Sequence, residues 1–384
     1  MKTAITELFG IDYPILNAGM GRVAFPNMVA AVSNAGGLGV YGAGSNPPDV
    51  TRAAIREIRK LTDKPFGANA PLALPNGMAN AKVMLEEGVP VINYSMGKGD
   101  WIVKAAHAYG GKVVASVSDV RLAQRAEVHG CDAVIAAGYE AAGHAGEIGS
   151  FVLIPRLAEL LNIPIIAAGG VANGAGLVGA LALGAAGVSM GTRFWVTQEG
   201  PMHANFKNKA LELDVQDTIF SDRFDGIPCR QMKTAAAERM VNAKMLNVWE
   251  IFLNSFTIAK ELKTPWFKLV KHTLSLGPRQ IESMMRMSKM LQMHGLTMST
   301  GDLDKGMTAS GQSVGLVHDL PSIAELMKTL IAEAEAVQRR LAAQIPLNEA
   351  PRFQDKPPEL RFGGFCFSGV YFASFCLRFC CSMN

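Results

Sequence analysis

Eight short apolar runs, rich in β-branched residues, alternate with stretches of helical periodicity through the first half of the chain. The runs fall at 14–17, 38–41, 66–69, 90–94, 112–116, 132–136, 164–168 and 187–190. They are apolar without alternation, as expected of strands covered on both faces. Between them lie segments such as VTRAAIREIRKLT, where Val50, Ala54, Ile55, Ile58 and Leu61 recur at spacings of three and four, one face of a helix. Strand, helix and short loop in strict succession demand a parallel sheet. Eight such units in about 190 residues is the count of a closed (β/α)8 TIM barrel; a doubly wound open sheet is the alternative architecture.

After Thr197 this α/β pattern ends. Residues 200–345 read as mostly helical and Met-rich, as in ERMVNAKMLNVWEIFLNSFTIAKEL and IESMMRMSKMLQMHG. They predict a helical subdomain over the barrel mouth, its methionines serving as adaptable filler or lining an apolar pocket. From Pro346 the chain becomes a Pro-rich linker and then a Cys- and Phe-rich tail, uncharged for only sixteen residues from Phe362 to Leu377. A spanning helix wants about 20 apolar residues. The expected division is therefore a barrel over 1–199, a helical subdomain over 200–345, and an appendage outside the fold over 346–384.

Composition narrows the classes. A chain of 384 residues that is 49% hydrophobic and 18% charged is neither disordered nor a small disulfide scaffold. Lys plus Arg is 37 and Asp plus Glu is 33, spread without runs of one sign, so no basic stripe points to nucleic acid. Cys131 and Cys229 stand alone, the other four cysteines crowd into the tail, and no cluster has metal-ligand spacing. The segment MKTAITELFG lacks the apolar core of a secretory signal, so a reducing, cytoplasmic setting and no membrane partner are expected, with a homodimer possible.

In a barrel of this kind the working loops follow the strands' C-terminal ends, and the last two often bind phosphate. Here the seventh strand leads into AAGGVANGAG and the eighth into MGTRF. Gly169, Gly170, Gly191 and Thr192 thus offer crowded backbone N–H groups to phosphate oxygens. The first strand ends in NAGM, the third in an amide, Asn69, suited to the edge of a ring. The sixth ends in AAGYEAAGHAGE, placing His144 between glycines, where it can position an anion or move a proton. Glu140 reads as a carboxylate that orients this loop. The other six histidines read as surface or packing residues. With no Walker loop, GxSxG elbow or HExxH helix, the chemistry points to an organic phosphate cofactor; FMN and a phosphorylated substrate both remain open at this level.

Together, IDYPILNAGM, AAVSNAGGLGVYGAG, LTDKPFGAN, GCDAVIAAGYEAAGHAGE, IPIIAAGGVANG and MGTRFWVTQE resemble the 2-nitropropane dioxygenase, or nitronate monooxygenase, family in order over residues 1–230. ASGQSVGLV near Gln312 is similar to that family's C-terminal motif. The family comprises FMN-dependent nitronate monooxygenases, NAD(P)H:quinone reductases and enoyl-acyl-carrier-protein reductases. The resemblance implies FMN, with Gly19, Met20 and Gly21 along the flavin, Asn69 bonding its ring, and Ala142 and Gly143 beside it. It implies that Ala168, Gly169, Gly170, Gly191 and Thr192 hold the phosphate, that Gln312 approaches from the helical part, and that His144 is catalytic. Two positions depart from the pattern: Ala142 replaces a glycine common in the family, and Arg22 stands where related reductases carry an aromatic residue.

The expected activity is oxidation of an alkyl nitronate by O2 to a carbonyl compound and nitrite. The alternatives are NAD(P)H-dependent reduction of an enoyl thioester or quinone, and a non-catalytic flavin-binding protein recruited by its tail.

Overall fold

The computed structural model describes residues 1–243 and 278–345, with isolated positions between 255 and 270. In chain order its strands are β1 (Ile15–Asn17), β2 (Gly39–Gly42), β3 (Phe66–Pro71), β4 (Val91–Ser95), β5 (Lys112–Val117), β6 (Ala133–Ala137), β7 (Gly143–His144), β8 (Ile165–Ala168), β9 (Gly187–Met190), β10 (Thr218–Ser221) and β11 (Cys229–Met232). Eight of them form one parallel sheet in the order β1-β9-β8-β6-β5-β4-β3-β2. A parallel bridge between Leu16 and Leu38 joins its two ends. The fold is a TIM-barrel-like (β/α)8, and the open-sheet alternative falls. Each expected strand lies within two residues of its predicted bounds.

The two-residue period of the strands sorts their side chains. Leu16, Val40, Val91, Val114, Ile135 and Ile166 form an inner column, onto which the helix Ala4–Phe9 packs Ile5 and Phe9. Their neighbours Ile15, Tyr41, Ile92, Val113, Val134 and Ile165 face outward into the larger core beneath the helices. In the helix Pro48–Leu61 the buried stripe is narrower than the periodicity predicts. Ile55 and Ile58 are fully buried, whereas Val50 and Leu61 are 43% and 40% exposed. The far side of that helix is held by charge instead. Arg52 and Arg56 reach the Glu87 carboxylate at 2.7 and 2.9 Å, and these hydrogen bonds hold its pKa below the usual carboxylate range.

The seam between β1 and β2 is the thinnest in the barrel, and a side chain completes it. Asn17, fully buried, accepts from the Val40 N–H and donates to the Val40 carbonyl, both at 2.9 Å. A further 2.9 Å bond runs to the Ala18 carbonyl. The amide thus takes the place of a peptide unit in the ladder.

Residues beyond the barrel are not purely helical. The helices Ala204–Glu212, Ala235–Asn242, Pro278–Ser299 and Ile323–Gln344 are joined by an antiparallel hairpin, β10–β11, with Thr218 opposite Met232. In the seven-residue connection between the two strands, Gly226 adopts φ +90 after Asp225. β11 pairs in turn with β7, so Cys229 lies opposite His144 and Arg230 opposite Gly143. Phe224, Cys229, Ala237, Met240 and Met307 form a small core of their own there.

Residues Met1–Gln338 make one compact unit; a second, Arg339–Asn384, begins within the last helix. The Cys/Phe-rich tail and most of residues 244–277 lie outside the described residues. Among those described, no helix is long and apolar enough to cross a membrane.

Replacing Asn17 by Leu leaves the Val40 N–H and C=O buried without partners. That should cost about 2–4 kcal/mol of stability, read from the shift of the urea unfolding midpoint. A midpoint unchanged from the wild type would show that the seam does not need this amide.

Candidate active site

A cavity of about 600 Å3 opens at the C-terminal ends of the barrel strands. Backbone economy shapes its floor. At Gly19 a Cβ would stand 2.4 Å from the Asn69 Cβ, and at Gly42 it would stand 2.2 Å from the Met20 carbonyl. Glycine is therefore required where the β1 loop crosses the barrel mouth. Gly21 bridges to Gly42, and this crossing holds Arg22 at φ +61, a conformation uncommon for a residue with a side chain.

Asn69 begins a ladder of buried polar groups across adjacent strands. Its amide nitrogen donates to Asn93 Oδ1 at 2.6 Å. Asn93 in turn donates to Ser116 Oγ and to the Val114 carbonyl, both at 3.0 Å. The ladder fixes the amide's orientation, so its carbonyl oxygen is the end left for a ligand.

The loop after β6 is restrained from three directions. Glu140 accepts from the Ser150 N–H at 3.0 Å and its hydroxyl at 2.8 Å, the loop-orienting role expected of it. The buried Arg230 donates to the Tyr139 carbonyl at 2.9 Å and lies 4.5 Å over its ring. The Gln312 N–H donates to the Glu140 carbonyl at 3.0 Å.

So restrained, the loop presents His144 with its Nε2 2.7 Å from Asp225 Oδ2. The histidine side chain is 29% exposed and the aspartate fully buried. Asp225 is fixed in turn, because its other oxygen accepts from the Ile227 N–H at 3.1 Å. The carboxylate takes the Nε2 proton, which leaves Nδ1 as a base when the ring is neutral and a donor when it is protonated.

The expected residues converge. Gly19, Met20, Gly21 and Asn69 line the cavity, as do Ala142, Gly143 and His144 and, on the β8 and β9 side, Ala168, Gly169, Gly191 and Thr192. Gly170 and Gln312 do not line it; Val171, Gly311 and Ser313 take those places. Gln312 acts through its backbone, and Gly170 sits at φ +76 beside Glu140. Thr192 Oγ1 accepts from the Gly311 N–H at 2.9 Å, tying the C-terminal segment to the barrel. The helix Thr192–Trp195 has only four residues, so bare backbone rather than a helix dipole is what this loop offers.

Three of the lining residues that sequence reasoning did not single out carry polar side chains of interest. Trp195 lines the cavity with its indole N–H buried and unpartnered among the described residues, and Gln231 lines it from β11. His294, expected to be a surface or packing residue, is the third. Its Nε2 is buried without a partner among the described residues. Burial, and behind it the charge of Arg22, pushes its pKa down to about 4. A fourth omission, Asp225, carried one signal, the DG turn.

His144, Asp225 and Cys229 offer donor atoms within 4.8 Å of one another, a grouping that linear spacing did not show. Burial, and then the Asp225 charge, pushes the Cys229 thiol up to about 12. It is a protonated packing group rather than a nucleophile.

A sequence profile described as Nitronate monooxygenase matches residues 2–333. The chain belongs to the nitronate monooxygenase family. It is 33% identical to the (3aS,4S,5R,7aS)-5-hydroxy-7a-methyl-1-oxo-octahydro-1H-indene-4-carboxyl-CoA dehydrogenase of Rhodococcus jostii, over 87% of this chain and 96% of that one. It is also 33% identical to the nitronate monooxygenase of Paraburkholderia phytofirmans, over 60% of this chain and 76% of that one. Among solved structures, FabK from Thermotoga maritima superposes with a TM-score of 0.75 at 33% identity, covering 90% of this chain and 100% of that one. Like these relatives, this family member is an oxidoreductase.

The depressed His294 pKa has a consequence for stability. The unfolded chain takes up a proton near 6.5, the folded chain only near 4. Stability is therefore unaffected above 6.5 and falls as pH drops between those values, by about 3 kcal/mol in all. His294→Leu should flatten that acid limb in urea unfolding between pH 7 and 4. Parallel limbs in wild type and variant would show that the imidazole is not held neutral.

Proposed function

We propose that the protein is an FMN-dependent oxidoreductase acting on an acyl thioester with NAD(P)H as reductant. The observation that carries this reading is the cavity roof. Ile227, Met290, Leu291 and Met307 close an apolar wall over the barrel mouth, using the C-terminal half that the chain shares with the CoA dehydrogenase and FabK along most of its length. A wall of that extent suits an acyl chain. The nitronate monooxygenase of Paraburkholderia phytofirmans and the probable one of Staphylococcus saprophyticus match 60% and 62% of the chain.

The residues present fit FMN. At Gly191, which has no positive φ, a Cβ would meet nothing closer than Met20 Sδ at 3.4 Å. Neighbouring protein does not demand glycine there for space, so the room a side chain would fill is left to a ligand. Ala168, Gly169, Gly191 and Thr192 would hold the phosphate through backbone N–H groups, with Gly170 behind them. Gly19, Met20, Gly21, Asn69, Ala142 and Gly143 would flank the ring. When bound, FMN supplies reversible hydride chemistry.

The chain's own part lies in His144. Reduction of an enoyl thioester consumes NAD(P)H and one proton and gives the saturated thioester and NAD(P)+. His144 Nδ1 would give that proton, with buried Asp225 holding the ring in the required tautomer. The apolar roof excludes water from the reacting carbon. This assigns the barrel, 1–199, to the cofactor and much of 200–345 to the substrate.

A second reading, nitronate oxidation by O2 to carbonyl compound and nitrite, draws support from the family profile and from Arg22, a cation on the cavity wall that suits an anion.

Anaerobic mixing separates the two. Rapid bleaching of the bound flavin by NADH or NADPH, followed by reoxidation with an enoyl thioester, is expected. Bleaching by an alkyl nitronate alone would overturn the thioester reading. A colourless protein that cannot be reconstituted with FMN would sink both.

Asp225→Asn should lower turnover by about 10²–10⁴-fold while leaving flavin content unchanged. Undiminished turnover would reduce Asp225 to a structural role.

A further inference from the structure

We propose that His294 is an acceptor subsite for an amide N–H of the substrate or the reductant. The inference rests on the cavity being the thioester and NAD(P)H site proposed above.

Both nitrogens of His294 can be assigned. One bonds the Met307 backbone in the sense that favours the protonated nitrogen, which makes that nitrogen the donor to the carbonyl. Nε2 is without a partner among the described residues, so the proton sits on Nδ1 and Nε2 carries a bare lone pair. The Arg22 charge acts on the same ring and opposes a second proton, as does burial. His294 is thus held as a neutral imidazole. It lies on the helix Pro278–Ser299 and reaches the cavity that also holds His144.

A buried acceptor with no partner is unfavourable until something completes it, and only a donor can. A nitronate presents oxygen lone pairs alone and would face Nε2 acceptor to acceptor. The ligands of the thioester reading do carry donors. The nicotinamide ring bears a carboxamide NH2, and the pantetheine arm of a coenzyme A or carrier-protein thioester bears two amide N–H groups. The shared chemistry is an amide N–H aimed at Nε2. Trp195, whose buried indole N–H also lacks a partner among the described residues, lines the same cavity and could meet an amide carbonyl.

Equilibrium titration of the full-length flavoprotein, read by fluorescence quenching without turnover, tests this with two ligand pairs. The first is NAD+ or NADP+ against its 3-acetylpyridine analogue, in which methyl replaces NH2. The second is an acyl N-acetylcysteamine thioester against the propyl thioester of the same acid, which has no amide. Wild type should bind the amide-bearing member of one pair about tenfold more tightly, and the pair that discriminates identifies the source of the N–H. His294→Leu should abolish that preference. His294→Gln, whose side-chain oxygen can accept, should retain part of it. Equal binding of both members of both pairs by the wild type, or an undiminished preference in His294→Leu, would overturn the subsite while leaving the functional reading intact. A wild type that binds neither pair would overturn the functional reading as well.

Discussion

The barrel closes on one amide. Seven of its eight seams are ordinary parallel ladders, but β1 meets β2 through a single backbone bridge, Leu16 to Leu38. Asn17 then stands in as an artificial peptide unit against both polar groups of Val40. The geometry that follows is local and functional. Directly after Asn17 the chain turns through Ala18 and Gly19 across the barrel mouth, where Gly19 lies against Asn69 and Gly21 against Gly42. A ladder of regular hydrogen bonds would have carried β1 straight on. Ending it with a side chain lets the backbone leave the sheet and form the cavity floor.

The second sheet solves a different problem. A histidine in a glycine-flanked loop has too much freedom to act as an acid or base, since Gly143 and Gly146 impose little on the backbone between them. Pairing β7 with β11 makes His144 a strand residue, and the Arg230–Tyr139 contact clamps the loop beside it. Asp225 reaches the imidazole from the same hairpin. The loop after β6 therefore owes its order to residues some 80–90 positions later in the chain. The barrel supplies the place, and the C-terminal half supplies the orientation.

That division explains what the sequence could and could not disclose. Barrel strands are short-range objects, set by apolar runs and glycine-marked ends, so their positions and the convergence of Gly19, Asn69, His144, Gly169 and Gly191 were legible. The hairpin was not. TIFS and CRQM are short and only half-apolar, and the intervening seven residues separate the Asp-Gly turn from both strands. Asp225 reads locally as a turn residue, and only pairing with a distant loop turns it into the partner of a histidine. His294 was obscured for the opposite reason. It sits within a Met-rich helix whose periodicity announces packing, and which face turns toward a cavity depends on tertiary docking. Gly170 and Gln312 each sit one residue from a lining position, and Gln312 reaches the loop through its backbone N–H.

The two cavity histidines make the last point about environment. They are one residue type, yet the surroundings assign them opposite electrostatic duties, as paired titratable groups in active sites often show. His144 is partly exposed, and a buried carboxylate consumes its Nε2 proton, so a change of charge on the ring is compensated within hydrogen-bond distance. No such counter-charge stands beside His294 among the described residues; burial and an arginine charge both oppose its protonation. The first is therefore oriented by a partner of opposite charge, while the second is held neutral by its surroundings. A site that moves a proton needs a group of the first kind. A site that must also select what enters it gains from a group of the second kind, whose polarity does not change as the first one cycles.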